Sequence, residues 1–326
     1  MTGGVIAEPT LVVNNLQVGY RRGTHLVRAV RNVSLELTRG EILGIVGESG
    51  SGKSTLLMSI IGLLPARAAI LGGSIRFHDT ELTQLKREEM RRLRGVSISM
   101  IPQRPMSSLS PVARVGTQLH RLIDRRQVHE GNRSTPIAQI LSQVGLRAVA
   151  ERLGGYPHEF SGGQLQRLLI SIAALSAKPE ILLADEPTST LDATIQAQVL
   201  SLLMQVRREL GLAIVFVSHD LGVVAQVCDR VGVMYAGELV EVADVSSFFT
   251  SPCHPYTQAL LNSMPSRHST RQLLPTITGD VPDLANVPAG CPFHPRCPHA
   301  FSTCMDTPPA NQTVGTSVVR CHLYGG

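Results

Sequence analysis

The sequence predicts an α/β fold organised around a phosphate-binding loop, and three observations support that prediction. The first is a glycine-rich stretch that fits the pattern Gly, four residues, then Gly-Lys-Ser: Gly47-Glu48-Ser49-Gly50-Ser51-Gly52-Lys53-Ser54-Thr55. The second is its setting, because residues 41–46 predict a buried strand before it and residues 53–64 predict a helix after it. The third is the recurrence of short apolar runs that end in polar residues, at 181–184 and 213–217.

The chemistry of this loop indicates phosphate binding. Glycines let the backbone curl so that successive N–H groups point at phosphate oxygens, and the following helix adds its positive N-terminal end. We expect Lys53 to reach the β- and γ-phosphates and the Ser54 hydroxyl to ligate Mg²⁺. The alternative is a Gly/Ser-rich turn that matches by chance, which the flanking strand and helix disfavour.

Length and composition indicate a globular chain of 326 residues with about two domains. It is 43% hydrophobic and 17% charged, and its net charge of +5 is compatible with a membrane surface, an anionic ligand or nucleic acid. The sequence lacks a signal-peptide start and any apolar stretch near the ~18 residues that span a bilayer. A soluble or peripheral protein is therefore expected, and its six cysteines favour a reducing compartment.

Upstream of the loop, residues 11–37 alternate apolar and polar in patches and predict antiparallel strands. Tyr20 lies among them as either an adenine-stacking ring or an ordinary packed tyrosine. Downstream, residues 74–77 predict another strand, and the charge run 86–94 predicts the solvated face of a short helix. A nucleic-acid contact by that run is the alternative, but no aromatic residues are interleaved to stack on bases.

Polar residues follow several predicted elements. Gln103 follows a β-like segment at 96–101 and could reach a metal or an attacking water, or could be a surface residue. Residues 106–160 have helical patches at 115–122 and 137–144 and predict a helical insertion. Ser161 can cap a helix over 165–177, with two glycines exposing N–H groups as a second anion site, although a plain helix start is the usual explanation.

Two acids, Asp185 and Glu186, end the predicted strand at 181–184, where doubly wound sheets bind ligands. Asp185 could hold Mg²⁺ and Glu186 could polarise a water for attack on a γ-phosphate; the alternative is a helix-capping pair. His219 follows the strand 213–217 and could contact the γ-phosphate, although a lone histidine is more often structural. Residues 231–241 predict a closing hairpin.

Taken together, these motifs resemble those of the ATP-binding-cassette (ABC) ATPases over residues ~10–250. The resemblance makes Gly47–Thr55 the Walker A motif, Asp185 the end of Walker B, and Glu186 the catalytic base. It also implies a Q-loop glutamine, a D-loop acid, a switch histidine, an adenine-stacking aromatic and a signature motif: Gln103, Asp192, His219, Tyr20, and Ser161, Gly162, Gly163 and Gln164.

The expected site residues follow from this resemblance. Glu186, His219 and Gln103 are expected to be catalytic, and Ser54, Gln103 and Asp185 to bind Mg²⁺. The residues expected to bind ATP are Tyr20, Gly47, Glu48, Ser49, Gly50, Ser51, Gly52, Lys53, Ser54, Thr55, Gln103, Ser161, Gly162, Gly163, Gln164, Asp185 and His219. Two departures, Arg104 where similar proteins usually have Asp and Phe160 where Leu is commoner, remove no catalytic group.

The C-terminal residues 265–326 are weakly periodic and hold four cysteines, Cys291, Cys297, Cys304 and Cys321, with intervening gaps of five, six and sixteen residues. A disulfide framework is disfavoured in a reducing compartment. Structural zinc with His294, His299 or His322 as further ligands, an iron–sulfur cluster, and four unrelated core cysteines remain open.

The segment His-Pro-Tyr-Thr at 254–257 with these cysteines resembles the extension on ATPases of dipeptide and oligopeptide importers. The resemblance implies a 4Fe–4S cluster on the four cysteines, with zinc as the alternative, and structural roles for Cys228 and Cys253. It further implies two permease subunits, a second ATPase subunit as heterodimer or homodimer, an extracytoplasmic peptide-binding protein and no nucleic acid. The chain is expected at the cytoplasmic face of the inner membrane as a peripheral protein.

The expected fold is thus a P-loop NTPase core of the ABC ATPase type with an antiparallel β subdomain, a helical subdomain at about 104–170 and a cysteine-containing extension. The expected domains are 10–250 and 251–326. The expected function is ATP hydrolysis that powers peptide import. The alternatives are an ATPase for import of nickel or a metal chelate, and a soluble ABC ATPase without a transport role.

Overall fold

The computed structural model describes residues 8–103, 108–127, 137–143, 145–175, 178–189, 191–264 and 276–325. The chain divides into two compact units. The first unit consists mainly of Gln84–Phe216, with Leu37–Glu41 and the start of the chain. The second unit consists of Leu11–Glu36, Ile42–Thr83 and Val217–Gly326. Arg104 and the predicted helix ends at 144 and 176–177 lie outside the described residues.

The elements of the described residues are numbered here in chain order. The strands are β1 Leu11–Arg22, β2 His25–Leu37, β3 Ile42–Val46, β4 Ala68–Phe77, β5 Thr80–Glu81, β6 Ile98–Ile101, β7 Ile181–Asp185, β8 Ala213–Val217, β9 Arg230–Tyr235, β10 Glu238–Asp244, β11 Asn311–Val314 and β12 Ser317–Arg320. The helices are α1 Lys53–Ile60, α2 Arg87–Leu93, α3 Val115–Gln127, α4 Ile137–Gln143, α5 Arg147–Ala150, α6 Gly162–Leu175, α7 Ala193–Leu210, α8 Leu221–Val227, α9 Val245–Thr250, α10 Pro255–Asn262 and α11 Ser302–Asp306.

The second unit holds an antiparallel sheet with the strand order β2-β1-β4-β5. Strand β1 runs antiparallel to β4, with Leu11 opposite Phe77. At the end of β2, buried and exposed residues alternate from Val33 to Leu37, as expected when one face of a sheet packs on a core. The antiparallel strands predicted upstream of the phosphate loop are therefore confirmed.

The second unit also contains strands in the order β11-β12-β10-β9-β3. Strands β3 and β9 are parallel, with Gly44 opposite Val231, and β9 and β10 form the predicted closing hairpin. Its turn residues Ala236 and Gly237 have φ angles of 46° and 84°. Positive φ at both central positions is the geometry of a type I′ turn, which matches the twist of the strands it joins.

The first unit contains the strands β8-β7-β6 in that order. Every residue of β7 and β8 is buried, which explains why their sequences are continuous apolar runs rather than alternating ones. Strands β6 and β7 are parallel, with Ile98 opposite Ile181 and Ile101 opposite Ala184. This register brings the two strand ends, and the polar residues that follow them, to the same edge.

Several helices differ from prediction at their ends. Helix α1 stops at Ile60 rather than continuing to residue 64, because Gly62 adopts a φ of 63° and the Leu63 N–H returns to the Met58 carbonyl at 2.8 Å. Helix α6 begins at Gly162, three residues before the predicted start. The charge run is helix α2 as predicted, with Met90 buried and the neighbouring charged residues exposed.

The C-terminal extension is continuous with the second unit. Strand β12 pairs antiparallel with β10, with Glu241 opposite Val319, and the β11–β12 hairpin lies beyond it. The Glu241 carboxylate is buried and accepts the N–H groups of Cys253 at 2.9 Å and His254 at 2.8 Å, which anchors the start of the extension. Among the described residues, no helix combines the length and apolar character required to cross a membrane.

Candidate nucleotide site

The phosphate loop joins β3 to α1, and its glycines are required by sterics. Gly47 has a φ of 147°, and a Cβ there would lie 2.1 Å from the Met234 carbonyl oxygen. Gly52 has a φ of 105°, and a Cβ there would lie 2.3 Å from the Ala29 carbonyl oxygen. The loop therefore packs directly against the backbone of β2 and β9, and no residue with a side chain fits at either position.

Lys53 lies at the start of α1 and curls back over the loop. Its Nζ donates hydrogen bonds to the carbonyl oxygens of Gly47 at 2.7 Å and Glu48 at 2.8 Å, and it is only 7% exposed. The ammonium group is thus held inside the curve of the loop by backbone acceptors. These contacts fix the positive side chain of the motif inside the loop, where a bound phosphate is expected.

Tyr20 and His219 belong to the same unit as the loop. The Tyr20 hydroxyl lies 3.0 Å from Thr55 Oγ1, with the ring half-buried beside the start of α1. His219 is exposed just past β8, where the Ser218 N–H donates to the Ile45 carbonyl at 3.3 Å. Ile45 lies two residues before the loop, so His219 leaves the strand at the loop's edge. Asp220 then caps α8 by accepting the Gly222 N–H at 2.9 Å.

In the first unit, the two predicted polar residues at the ends of β6 and β7 meet. The Gln103 Nε2 donates to Glu186 Oε2 at 2.8 Å. Each lies two residues past the register pair Ile101–Ala184, which explains why they are opposite one another. Glu186 has a φ of 46°, a strained conformation for a residue with a side chain, of the kind that clusters at functional sites. Asp185, one residue earlier, is buried.

The Ser-Gly-Gly-Gln segment starts helix α6 with a reciprocal cap. The Gln164 N–H donates to Ser161 Oγ at 3.2 Å, and the Ser161 N–H donates to the Gln164 side chain at 3.0 Å. Ser161 and Gly162 are exposed, whereas a Cβ on Gly163 would lie 2.5 Å from Ile195 of helix α7. Gly163 therefore allows the two helices to approach closely, and the residues before it remain open to solvent.

Asp192 has a local role that the sequence prediction did not include. It is the N-cap of α7, and its carboxylate accepts the Ile195 N–H at 2.9 Å. Aspartate is a preferred residue directly before the first residue of a helix, so its position could have indicated this capping role.

The structure also shows contacts to the phosphate loop that sequence reasoning missed. Arg296, in the C-terminal extension, makes two hydrogen bonds to the Glu48 carboxylate, at 2.8 and 3.1 Å. The Tyr256 hydroxyl accepts the Glu48 N–H at 3.0 Å. These pairs are separated by 248 and 208 residues in the chain, so no local pattern could have revealed them.

The four C-terminal cysteines line one small cavity together with His254. Burial raises the pKa of Cys291 to about 11, and the neighbouring thiols of the other three add to the rise. All six cysteines are free thiols. In the described part of the chain, no three His, Cys, Asp or Glu side chains are arranged to hold a single metal ion.

His254 is one of the residues that line this cavity. It is fully buried, and its Nδ1 accepts the Tyr256 N–H at 3.0 Å, so its proton is on Nε2. Nε2 is buried without a hydrogen-bond partner among the described residues, and burial lowers the pKa of His254 to about 3. The neutral ring thus keeps a buried N–H donor for which the described part of the chain offers no acceptor.

Comparison with known folds and families defines the class of the protein. Two dimeric ABC cassettes among the solved structures, one in a post-hydrolysis state bound to ADP and Pi, match with TM-scores of 0.63 and 0.62 at 26% identity, each covering 72% of this chain and 98% of its own. The family model described as "ABC transporter" matches residues 30–189. The fold is therefore that of an ABC ATPase cassette.

Curated relatives narrow the family. The dipeptide transport ATP-binding protein DppD of Bacillus subtilis is 44% identical over 97% of this chain and 95% of its own length. The oligopeptide transport ATP-binding protein OppD of Salmonella typhimurium is 44% identical over 93% and 90%. The model described as "Oligopeptide/dipeptide transporter, C-terminal region" matches residues 240–304. The chain belongs to the ABC transporter family, in the group of dipeptide and oligopeptide transport ATP-binding proteins.

These findings confirm the predicted family, the cassette fold and the enzyme class, an ABC-type ATPase. The domain boundary at residue 250 and the roles of the individual site residues stay predictions. The structure nevertheless brings two of those residues, Gln103 and Glu186, into direct contact, and it gathers the loop, Tyr20 and His219 in one unit.

Proposed function

We propose that this chain is the ATP-hydrolysing subunit of a bacterial ABC importer for di- and oligopeptides. The observation that carries the proposal is similarity along nearly the whole chain. Eight curated relatives named for peptide, dipeptide or oligopeptide transport or import match 92–98% of it at 39–45% identity. Neither alternative, an importer of nickel or a metal chelate and a soluble ABC ATPase, is favoured by these relatives.

In the proposed reaction, Lys53 and the loop N–H groups hold the β- and γ-phosphates. Ser54, Asp185 and Gln103 would hold Mg²⁺, which would offset the negative charge of the phosphates. Glu186 accepts a proton from the attacking water while the hydrogen bond from Gln103 orients its carboxylate. His219 contacts the γ-phosphate, and Tyr20 stacks on adenine. The strained backbone at Glu186 and the enclosure of Lys53 support these roles.

The exposed signature supports a dimeric mechanism. Ser161 and Gly162 are open to solvent at the start of α6, where backbone N–H groups can donate hydrogen bonds to an anion held by another molecule. We propose that two cassettes pair head to tail, so that Ser161–Gln164 of one subunit faces the nucleotide on the phosphate loop of the other. ATP then stabilises the closed dimer, and hydrolysis releases it, which drives two permease subunits between states.

For the cysteine cavity, we propose a 4Fe–4S cluster on Cys291, Cys297, Cys304 and Cys321, with zinc as the alternative. Four thiols around one cavity provide the donor set of such a cluster. Their raised pKa values keep Cys291, Cys297 and Cys321 protonated at neutral pH, so a bound metal must displace those protons. His254 lines the same cavity, and its buried Nε2–H has no acceptor among the described residues.

The partners of this chain test the transport assignment. The chain, tagged at one terminus, is purified from detergent-solubilised membranes of its source organism, and the proteins that accompany it are identified by mass spectrometry. We expect two permeases and a second ATPase subunit at the cytoplasmic face of the inner membrane. Ribosomal proteins or DNA in their place would support the soluble alternative and contradict the proposal.

A second measurement distinguishes import of peptides from import of nickel or a metal chelate. With the complete transporter in proteoliposomes, ATP hydrolysis should rise when the matching binding protein carries a peptide, and Glu186→Gln should abolish the rise. Stimulation by a nickel-loaded binding protein alone would favour the metal-import alternative.

The cluster proposal has a matched pair of variants, because Cys321 and Cys253 are equally buried in one small core. Anaerobically purified chain should contain about four iron and four sulfide ions, with broad absorbance at about 400 nm. Cys321→Ser should lose most of this iron and Cys253→Ser should keep it. Colourless protein with stoichiometric zinc would replace the cluster assignment with the zinc one.

A further inference from the structure

The phosphate loop of this chain carries a negative charge of its own. Glu48 follows Gly47 directly, and its side chain is part-exposed at the loop that is proposed to bind a polyphosphate. A carboxylate within a few ångströms of a triphosphate repels it, and near a protein surface this repulsion is large enough to weaken nucleotide binding. The structure holds this charge in an ion pair rather than leaving it free toward the loop.

The partner of Glu48 in this ion pair is Arg296, and several contacts hold its side chain in place. Its side chain is 4% exposed, and it contacts the Glu48 carboxylate with two parallel hydrogen bonds at 2.8 and 3.1 Å. Its Nε donates to the Thr278 carbonyl at 3.0 Å, and its guanidinium lies 5.8 Å from the centre of the Tyr235 ring. Burial alone would lower the pKa of Arg296, but the hydrogen bonds to Glu48 and Tyr235 raise it, so the group stays charged.

The backbone of Glu48 is held from the same side. Its N–H donates to the buried Tyr256 hydroxyl at 3.0 Å, and its carbonyl accepts the Lys53 ammonium at 2.8 Å. Tyr256 packs against Tyr235 and Phe293, with ring centroids 4.6 and 5.3 Å away. Three polar groups of one loop residue are therefore engaged, two of them by the C-terminal extension and one by Lys53.

We propose that Arg296 and Tyr256 are positioning residues for the nucleotide: they hold Glu48 away from the phosphates, and Arg296 cancels its charge. This inference rests on the proposed binding of ATP at the loop. Without Arg296, the Glu48 carboxylate is released beside the triphosphate, and the Lys53 anchor at the Glu48 carbonyl loosens. The extension is thus a part of the nucleotide site rather than only an appendage to the cassette.

A role of Arg296 in cancelling charge and a purely structural role lead to different outcomes on mutation. If Arg296 acts by cancelling charge, removing both partners of the pair relieves the repulsion that removing Arg296 alone creates. If the pair only attaches the extension to the loop, the double variant should bind MgATP at least as weakly as the single variant. A double-mutant cycle on Glu48 and Arg296 therefore separates the two explanations.

The test uses the full-length chain, with MgATP affinity measured by titration calorimetry and kcat and KM by phosphate release. Arg296→Gln should weaken MgATP binding about tenfold, or about 1.4 kcal/mol, mainly in KM. The double variant Glu48→Gln/Arg296→Gln should return to within about threefold of wild type. Arg296→Lys keeps the charge but loses the bidentate contact, so its affinity should lie between those of wild type and Arg296→Gln. Added salt should narrow the defect of Arg296→Gln because it screens the repulsion.

Two further variants complete the design. Arg320→Gln breaks a partly buried pair of the same extension, with Glu238 at 3.5 Å, and should leave MgATP affinity unchanged. Tyr256→Phe keeps the ring and removes the hydroxyl that accepts the Glu48 N–H, and should raise KM about threefold with kcat nearly unchanged. Thermal unfolding of each variant shows whether a loss of affinity accompanies a loss of fold.

The outcomes distinguish this inference from the proposed function. A wild-type chain that fails to bind MgATP overturns both. Wild-type binding together with normal binding by Arg296→Gln, or a double variant as weak as Arg296→Gln, overturns the inference alone. If Arg296→Gln does not fold, a double variant that folds and binds MgATP upholds the inference, and one that folds without binding overturns it.

Discussion

The two regions proposed to handle nucleotide are built differently. In the second unit, the phosphate loop is enclosed: its glycines touch backbone carbonyls of neighbouring strands, Lys53 is buried against the loop, and Glu48 is held by two residues of the extension. In the first unit, Gln103, Ser161 and Gly162 are exposed: Gln103 contacts Glu186 of a neighbouring strand end, and Ser161 contacts Gln164 of its own helix start. The difference shows that the phosphate loop is packed within its own unit, and it is consistent with the proposal that the exposed signature acts on the nucleotide of a second subunit.

The comparison predicts that changes in the two regions separate binding from turnover. Glu186→Gln keeps the shape and the contact with Gln103 but removes the base, so hydrolysis should fall about 10³-fold with MgATP binding retained. Phosphate release and calorimetric titration measure the two quantities. Glu151→Gln, an exposed acid of the same unit, serves as the control and should hydrolyse ATP normally. Near-normal turnover by Glu186→Gln contradicts the assigned role.

Within the enclosed loop, the effect of adding a methyl group should depend on the space around it. Gly47→Ala places a Cβ 2.1 Å from a carbonyl oxygen, so the backbone must move, at a cost of about 3 kcal/mol of unfolding free energy and the loss of MgATP binding. Gly50→Ala also has a positive φ but has nothing within 4 Å, so about 1 kcal/mol is expected. Chemical denaturation compares the two, and equal losses contradict the enclosed packing.

Two glycines of the signature, Gly162 and Gly163, give a matched pair of alanine variants in the exposed region. Gly163→Ala meets Ile195 at 2.5 Å and should cost about 2 kcal/mol of stability through overpacking between α6 and α7. Gly162→Ala has open space around it and should leave stability nearly unchanged while lowering ATP turnover in the assembled dimer. Denaturation curves and turnover together test this. Normal turnover by a stable Gly162→Ala variant argues against a signature that contacts a partner.

The smallest predicted effect is a pH dependence of folding stability that arises from the buried His254 of the second unit. Because burial lowers the pKa of His254 to about 3 in the folded chain, its contribution to stability is present above pH ~6.5 and is lost as the pH falls toward 3. Between pH 6.5 and 5.5, wild type should lose about 1 kcal/mol that His254→Asn does not lose. Asparagine keeps an acceptor for the Tyr256 N–H. His25→Asn, at an exposed histidine, should follow wild type; identical slopes for His254→Asn and wild type contradict the prediction.

Much of the site was predictable from local pattern. The buried strand β7 is a continuous apolar run that ends in Asp185, and the parallel strand β6 brings Gln103 to the same edge, beside Glu186. The glycines at 47 and 52 had to allow a positive φ and a close backbone approach, and they do. Helix ends were less certain, as α1 and α6 show, because caps and turns decide them over one or two residues.

The amino-acid sequence by itself determined the motifs, the strand–loop–helix core and the family, because each depends on residues close together in the chain. Only the tertiary structure decided that Arg296 and Tyr256 hold Glu48, that Gln103 meets Glu186, and that four cysteines share a cavity with a buried histidine. Those contacts join residues up to 248 positions apart. Periodicity reports which face of an element is buried, but packing alone decides which distant side chain it meets.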